Sequence, residues 1–476
     1  MKLPTFLAAQ ASLRPDHTAL IGERRMTFAE LEEATTRAAA ALRGQGLRVG
    51  DRVAIALPNG VDFVLAFLAA VKAGLVAVPV NLRLAPDEAT YILGDSGATK
   101  VIREPSEVTE LVESGEPVRP EVPQDFDDCV ISYTSGTTGK PKGALLTQAN
   151  YIVLNGFLNQ AMWGLGPADR QLVTTPLAQR TGLARVMNMV CHGCSLLVPP
   201  KFDAARTADL VQSERVTFMA TVPTVARMLL PEIERDPARF ASLRAFVATG
   251  EAFPVALKRK LRDVLPDMEI HSYYAMTEVG LVAGMGPAEQ FAHPEAVGRV
   301  QPGVEAQLLD DDFHEVRHGE VGELWVRSGP PGRWLTMREY HGRPEDTART
   351  IRDGWVATGD LGRFDDEGFL HLVDRKKDMI LSGGFNIYSR EVELVIAELP
   401  GVQAVAVVGV PDEVFGEAVA AYVEVAPGHR VTEKDVIDLC RQRIAGYKKP
   451  RHVRFVDELP RNSTGKVVKR QLTATS

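Results

Sequence analysis

The sequence predicts an α/β fold, with a large N-terminal α/β body over residues 1–376 and a small α+β domain over residues 377–476. Three observations carry this. Strand and helix patterns alternate through the first eighty or so residues and again between about 191 and 265, the signature of parallel sheets covered by helices. After Lys377 the texture changes to a compact run of short elements. The length, 476 residues, suits two to four domains with buried cores.

Taken in order, apolar positions recur at helical spacing from Phe28 to Arg43, and Gly44 and Gly46 stop the helix. Val53–Leu57 reads as a buried strand, Val61–Lys72 as a helix and Leu75–Val80 as the next strand. Glu104–Asp128, rich in proline and acids, reads as a mobile surface loop. Cys191–Val198, Val216–Thr221 and Leu243–Thr249 are strand candidates, while Thr207–Arg215, Val222–Leu230 and Val255–Leu265 look helical. The C-terminal domain reads as helix Arg390–Leu399, strands Ala404–Gly409 and Ala418–Val425, helix Glu433–Ile444 and strand His452–Val456.

With 54 Lys and Arg against 62 Asp and Glu, the net charge of -8 provides no global field for nucleic acid or an anionic membrane. Any phosphate must be bound locally, and no nucleic-acid partner is expected. Val61–Val80 is broken by Asp62, Lys72, Gly74 and Pro79, too short of an uninterrupted apolar span to cross a bilayer. Four cysteines and a start without an apolar signal core predict a reducing cytoplasm.

The most informative segment is Tyr133-Thr134-Ser135-Gly136-Thr137-Thr138-Gly139-Lys140-Pro141-Lys142-Gly143, after the strand-like run Cys129–Ser132. Glycines free its backbone, four hydroxyls and two lysines line it, and no acid interrupts it. Backbone amides, hydroxyls and ammonium groups together suit a polyphosphate. It is not a P-loop, because only two residues separate Gly136 from Gly139 and a proline follows Lys140.

This segment resembles the signature loop of the adenylate-forming superfamily, in its acyl-CoA and aryl-CoA ligase branch. The resemblance extends in family order through Tyr273-Tyr274-Ala275-Met276-Thr277-Glu278, Gly354-Trp355-Val356-Ala357-Thr358-Gly359-Asp360, Asp374–Asp378, Gly383–Tyr388 and Leu459–Lys466. With Leu57-Pro58-Asn59 it spans nearly the whole chain. It implies stacked sheets in the body and a mobile C-terminal domain. It also implies two-step chemistry: a carboxylic acid and ATP give acyl-AMP and pyrophosphate, then the thiol of coenzyme A displaces AMP.

The resemblance assigns roles. Lys466 bridges the attacking carboxylate and the α-phosphate, where cations must offset accumulating negative charge. Glu278 holds Mg²⁺ against the phosphates, with Thr138 as helper and Thr277 donating to the α-phosphate. Thr134, Ser135, Gly136, Thr137, Thr138, Gly139 and Lys142 form the phosphate loop. Gly250, Glu251 and Ala252, with Tyr273 and Tyr274, lie on the adenine side. Asp360 accepts both ribose hydroxyls and Arg375 lies beside the ribose. The hinge is Lys377, and Gly383 and Gly384 border the tunnel for the narrow arm of coenzyme A.

Departures mark the acid side. Pro176–Leu183 resembles the family's Pro-Leu-x-His-x-x-Gly-Leu but carries Gln179 for the histidine and adds Arg180. Gln179, Arg180, Gly182, Ala275 and Met276 are therefore the acid-pocket candidates, and Arg180 is either a selector of substrates with a second acceptor or an ion-pair partner in a wall. Thr249 stands where glycine is commoner, Ala275 replaces a glycine, and Gln148 a histidine. Cys191 and Cys194 have metal-pair spacing without a second pair and read as core. The expected activity is an ATP-dependent acid:CoA ligase. Alternatives are an enzyme loading a carrier protein's phosphopantetheine, and a binding protein of the same fold. The acid is left open, as is the oligomeric state, a homodimer included.

Overall fold

The computed structural model describes residues 2–134, 140–461 and 467–473. Contacts divide the chain into two units: residues 1–306 with 326–358, and residues 307–325 with 359–476.

In the first unit, a six-stranded sheet orders Glu339–Tyr340, Lys142–Thr147, Asp128–Thr134, Val76–Pro79, Arg52–Ile55 and Lys100–Ile102. Its last four strands run parallel, and Asp128–Thr134 (β1) and Lys142–Thr147 (β2) form an antiparallel hairpin. A nine-stranded sheet contains Ala245–Thr249 (β3) beside Glu269–Met276 (β4), part of a run of six parallel strands. The largest apolar core joins both sheets, from Leu20 to Ile55 and Val130, through the helices Phe28–Gly44 and Val61–Lys72. Thr27 starts the first of these with a reciprocal cap: its hydroxyl accepts from Glu30 N at 3.2 Å, and its own N–H donates to the Glu30 carboxylate at 2.7 Å. All twelve residues of Val61–Lys72 are buried, which is why its sequence lacks a polar face.

Two expectations need correction. Cys191–Val198 is not one strand: the helix α1 (Arg180–His192) runs into it, Gly193 at φ +74° ends that helix, and only Ser195–Leu197 is extended. Because the helix is buried almost all round, its apolar tail mimics a buried strand. Nor is Glu104–Asp128 all loop, since Pro105–Ser114 is a helix with proline in its first turn. No described helix is long and apolar enough to cross a membrane.

In the second unit, the Gly359–Phe364 part of β5 (Trp355–Phe364) pairs antiparallel with β6 (Leu370–Arg375). A further sheet holds the hairpin of β7 (Ile380–Ser382) and β8 (Phe385–Ile387), then Gly416–Val425 with Val402–Asp412 on one side and His452–Val456 pairing parallel to it. Helices Ser389–Ile396 (α2) and Glu433–Arg443 close its core around Val407, Val419 and Val436.

Candidate active site

The hairpin β1–β2 presents the hydroxyl-rich loop. Thr134 pairs with Lys142 at its last rung, and Ser135, Gly136, Thr137, Thr138 and Gly139 lie outside the described residues. The base of the loop is braced on both strands. The Tyr133 hydroxyl donates to Asp95 at 2.8 Å, and Asp95 pairs with Arg343 at 2.9 Å. Lys142 pairs with Asp346 at 2.9 Å and sits 5.2 Å from the Tyr340 ring. A side chain on Gly143 would come within 2.5 Å of Ile131, so only glycine lets the second strand leave the loop here.

Glu278 lies across from this hairpin, buried, two residues past Met276, the last residue of β4. The Thr134 hydroxyl donates to its Oε1 at 3.1 Å and the Tyr340 hydroxyl to the same oxygen at 3.0 Å. Among the described residues no hydrogen bond reaches Oε2. A carboxylate fixed through one oxygen with the other open suits a hard divalent cation that takes its remaining ligands from phosphates and water. The charge of Glu278, with burial as the larger cause, pushes the Tyr340 phenol well above its ordinary pKa, so the hydroxyl stays a donor. Among the described residues no cluster of three or more His, Cys, Asp or Glu could hold a metal alone.

Around this carboxylate the parallel strands end together. Thr249 closes β3, and its hydroxyl donates to the Tyr273 carbonyl at 3.0 Å, a tie that a glycine there could not make. Gly250 follows at φ +86°, and Glu251 accepts from Thr224 at 2.9 Å. Tyr273, Tyr274, Ala275, Met276 and Thr277 are half-buried, within reach of a small molecule from solvent. Ligands of open parallel sheets sit at such carboxyl ends.

Helix α1 forms the adjoining wall. Asn59 holds the chain before it, accepting from Leu177 N at 2.7 Å and donating to the Thr175 carbonyl at 3.0 Å. Gln179 is the N-cap and half-buried. Arg180 is buried; it donates to the Thr277 carbonyl and, at 3.5 Å, to that of Leu335, with its guanidinium 5.7 Å from the Tyr151 ring. A side chain on Gly182 would strike the Pro176 carbonyl oxygen at 2.2 Å, so the space it leaves is filled by backbone.

In the second unit, Asp360 and Arg375 face each other on β5 and β6, with Nε to Oδ1 at 2.6 Å. Asp374 caps α2 by accepting from the Ser389 N–H and, at 3.2 Å, from its hydroxyl. Lys376 is held by Asp311 at 2.8 Å and Glu323 at 3.0 Å, whereas the next residue, Lys377, is exposed. Gly383 and Gly384, at φ +57° and +81°, make the two-residue turn between β7 and β8. A side chain on Gly383 would meet the Phe415 ring at 2.9 Å, and one on Gly384 would meet nothing. Lys466 and Thr138 lie outside the described residues.

With this geometry in place, comparison with known proteins decides the family. A model of the AMP-binding enzymes matches residues 7–341, and one of the AMP-binding enzyme C-terminal domain matches residues 391–466. This chain is an AMP-binding enzyme. It is 36% identical to a long-chain-fatty-acid–CoA ligase of Mycobacterium tuberculosis, over 94% of this chain and 92% of the relative. It is also 36% identical to a feruloyl-CoA synthase of Amycolatopsis, over 97% and 96%. Among solved structures it is similar to o-succinylbenzoate CoA synthetase from Bacillus subtilis in complex with its acyl-adenylate intermediate, with TM-score 0.89, 31% identity and 98% of each chain covered. ATP-bound MatB from Rhodopseudomonas palustris superposes with TM-score 0.90 at 29% identity, over 100% of this chain and 99% of that one.

For this AMP-binding enzyme, sequence reading missed Tyr340 and the clamp made by Asn59. Tyr340 stands in no quoted motif; only its strand, pairing with β2, delivers it to Glu278. Asn59 was visible as part of Leu57-Pro58-Asn59 but its partner segment lies more than a hundred residues on. Cys129, Cys194 and Cys440 are buried and Cys191 partly so, all four as free thiols.

Proposed function

We infer that this protein is an AMP-forming ligase that activates a carboxylic acid with ATP and transfers the acyl group to coenzyme A. The observation that carries the reading is full-length similarity to CoA ligases together with the pre-set Glu278 carboxylate at the loop that would cradle the phosphates. Glu278 would hold Mg²⁺, which supplies charge neutralisation at the phosphates when bound. Thr134, Lys142 and the loop between them would bind the polyphosphate, and Thr277 the α-phosphate. Gly250, Glu251, Ala252 and Tyr274 would line the adenine side, whereas the Tyr273 ring packs on Trp163.

We assign Gln179, Arg180, Ala275 and Met276 to the acid pocket, with Gly182 setting how closely α1 approaches it. Asp360 and Arg375 would serve the ribose. Lys466 would offset the charge that builds as carboxylate attacks phosphorus. A lysine needed only in that step, on a small domain, requires the domain to move between steps. We take the boundary at 376/377 as the one that moves, with exposed Lys377 beside anchored Lys376 as hinge and Gly383 and Gly384 meeting coenzyme A afterwards. The test is AMP release from ATP across a panel of acids, with and without coenzyme A or a phosphopantetheinylated carrier protein. AMP release that no acid stimulates overturns the ligase reading, and turnover with the carrier alone changes the acceptor.

A further inference from the structure

Arg185 is the one arginine on α1 that the ligase reading leaves without a task. It is 2% exposed, and among the described residues its Nε and Nη1 have no hydrogen-bond partner. Its guanidinium lies 5.7 Å from the Trp163 ring, and the Tyr273 phenol favours its charge. Trp163 and Tyr273 pack on each other with ring centroids 5.6 Å apart, and the Trp163 Nε1 is a third buried donor without a partner among the described residues. Burial disfavours the charge of Arg185, and the groups that oppose this are Tyr273 and Cys194, neither of them a carboxylate. Apolar clusters flank the triad, through Phe218, Ala220 and Val247 on one side and Leu154, Leu158 and Leu281 on the other. A buried cation without a counter-anion is among the most costly features a core can hold.

The position connects this triad to the proposed acid pocket along two walls. On α1, Arg185 lies five residues, a rise of about 7.5 Å, beyond Arg180, which touches the Thr277 carbonyl. On β4, Tyr273 lies four residues, about 13 Å of strand, before Thr277. Both elements therefore run from the place where the carboxylate reacts to the Arg185 guanidinium. Among the described residues Nε, Nη1 and the indole N–H are open together, and the open acceptors of this core, Oδ1 of Asn155 and of Asn159, are neutral and bring no charge to balance the cation. A group that accepts from both guanidinium and indole, donates nothing and brings the missing negative charge is a carboxylate.

We propose that Arg185, with Trp163 and Tyr273, receives a second carboxylate at the far end of the substrate, so that the enzyme activates dicarboxylic acids whose two groups lie roughly 7 to 13 Å apart. This rests on the ligase reading and names its substrate class. Arg185 then selects substrate by a charge-assisted pair, while Arg180 holds backbone at the reacting end.

The experiment compares adipic, suberic and sebacic acids with their monomethyl esters and with fatty acids of equal length, in acid-dependent AMP release and in thermal shift with ATP present. The expected result is a kcat/KM at least about tenfold higher for one of the diacids than for its monoester, corresponding to about 1.4 kcal/mol. Arg185→Met should shrink that ratio by more than about fivefold, with monoester turnover retained, and Arg185→Lys should restore part of it. In the parent protein the preferred diacid should raise Tm more than its monoester does, a readout that needs no variant. Equal Tm shifts for diacid and monoester, or a ratio that Arg185→Met changes by less than about fivefold, overturn the proposal. If monoacids drive AMP release as well as diacids do, the ligase reading stands and this one falls; if no acid does, both fall.

Discussion

The two ends of the proposed acid site differ in how completely the chain satisfies itself. At the Glu278 end, two hydroxyls meet on one carboxylate oxygen, the Met337 N–H donates to the Glu278 carbonyl at 2.7 Å, and Arg180 holds the neighbouring Thr277 carbonyl. At the Arg185 end, three buried donors are left open among the described residues. Groups used identically in every turnover can be positioned by partners within the chain. Groups that must tell one acid from another have to keep valences open for the ligand, and a site built this way gives up stability for selection. Variants at the first end should therefore cost all acids alike, and variants at the second should reorder them.

The largest effect is expected at Lys466. Lys466→Ala should lower acyl-adenylate formation by about a thousandfold for every acid. The second step, started from synthetic acyl-AMP and coenzyme A, should stay within about threefold of the parent, because a thiol attacking a carbonyl needs no charge at phosphorus. Equal loss in both half-reactions would remove Lys466 from the role assigned to it. Glu278→Gln should follow, with about a hundredfold loss in kcat and a raised Mg²⁺ requirement, again uniform across acids. A Glu278→Gln enzyme that changed the ranking of acids would break the division between the two ends.

A smaller uniform loss is expected from Tyr340→Phe, which removes one hydrogen bond to Glu278 and keeps the ring beside Lys142. About three- to tenfold in kcat, matching the ~0.5 to 1.5 kcal/mol of one such bond, would show that the Tyr340 hydroxyl positions the carboxylate. No change in either kcat or Mg²⁺ dependence would leave Thr134 as its sole support.

How far each end could be read from sequence follows the same division. The Glu278 end lies in motifs whose residue types the chemistry dictates, so Thr134, Lys142 and Glu278 were visible as a group. The strands and helices around them were readable for a related reason: Phe28–Gly44 and Val61–Lys72 begin and end at local signals, a Thr27–Glu30 cap in one case and glycines in others. Tyr340 was invisible because strand pairing between Glu339–Tyr340 and β2 is a contact across nearly two hundred residues. Arg185 was hidden in a helix whose buried, nearly all-round packing disguised even its end, so that Cys191 and His192 read as strand. Its meaning lies in what its donors lack, and no periodicity reports a missing partner.

Lys258 supplies the control for that argument. Like Arg185 it is a cation at 2% exposure with no acid paired to it among the described residues; its ammonium lies 5.5 Å from the Phe253 ring, on the helix Val255–Val264. Lys72, equally buried, instead has Glu32 at 2.8 Å and the Thr35 hydroxyl at 2.8 Å. Burial lowers the Lys258 pKa from 10.5 to about 8. Between those values the unfolded chain binds more protons than the folded one, so this group makes stability rise with pH from about 8 to about 10.5. Below pH 8 the full penalty applies, and Lys258→Met should relieve it by about 1 to 2 kcal/mol, discounted for solvent screening at the amine tip. Urea denaturation at pH 7 and pH 10 would measure this, with the gain over the parent shrinking at the higher pH. The ratio of diacid to monoester turnover should not move. If Lys258→Met altered that ratio as Arg185→Met does, loss of any buried charge would suffice, and the selectivity would not belong to Arg185. A variant less stable than the parent at pH 7 would show that Lys258 has a polar partner, and that burial without one is peculiar to the acid site.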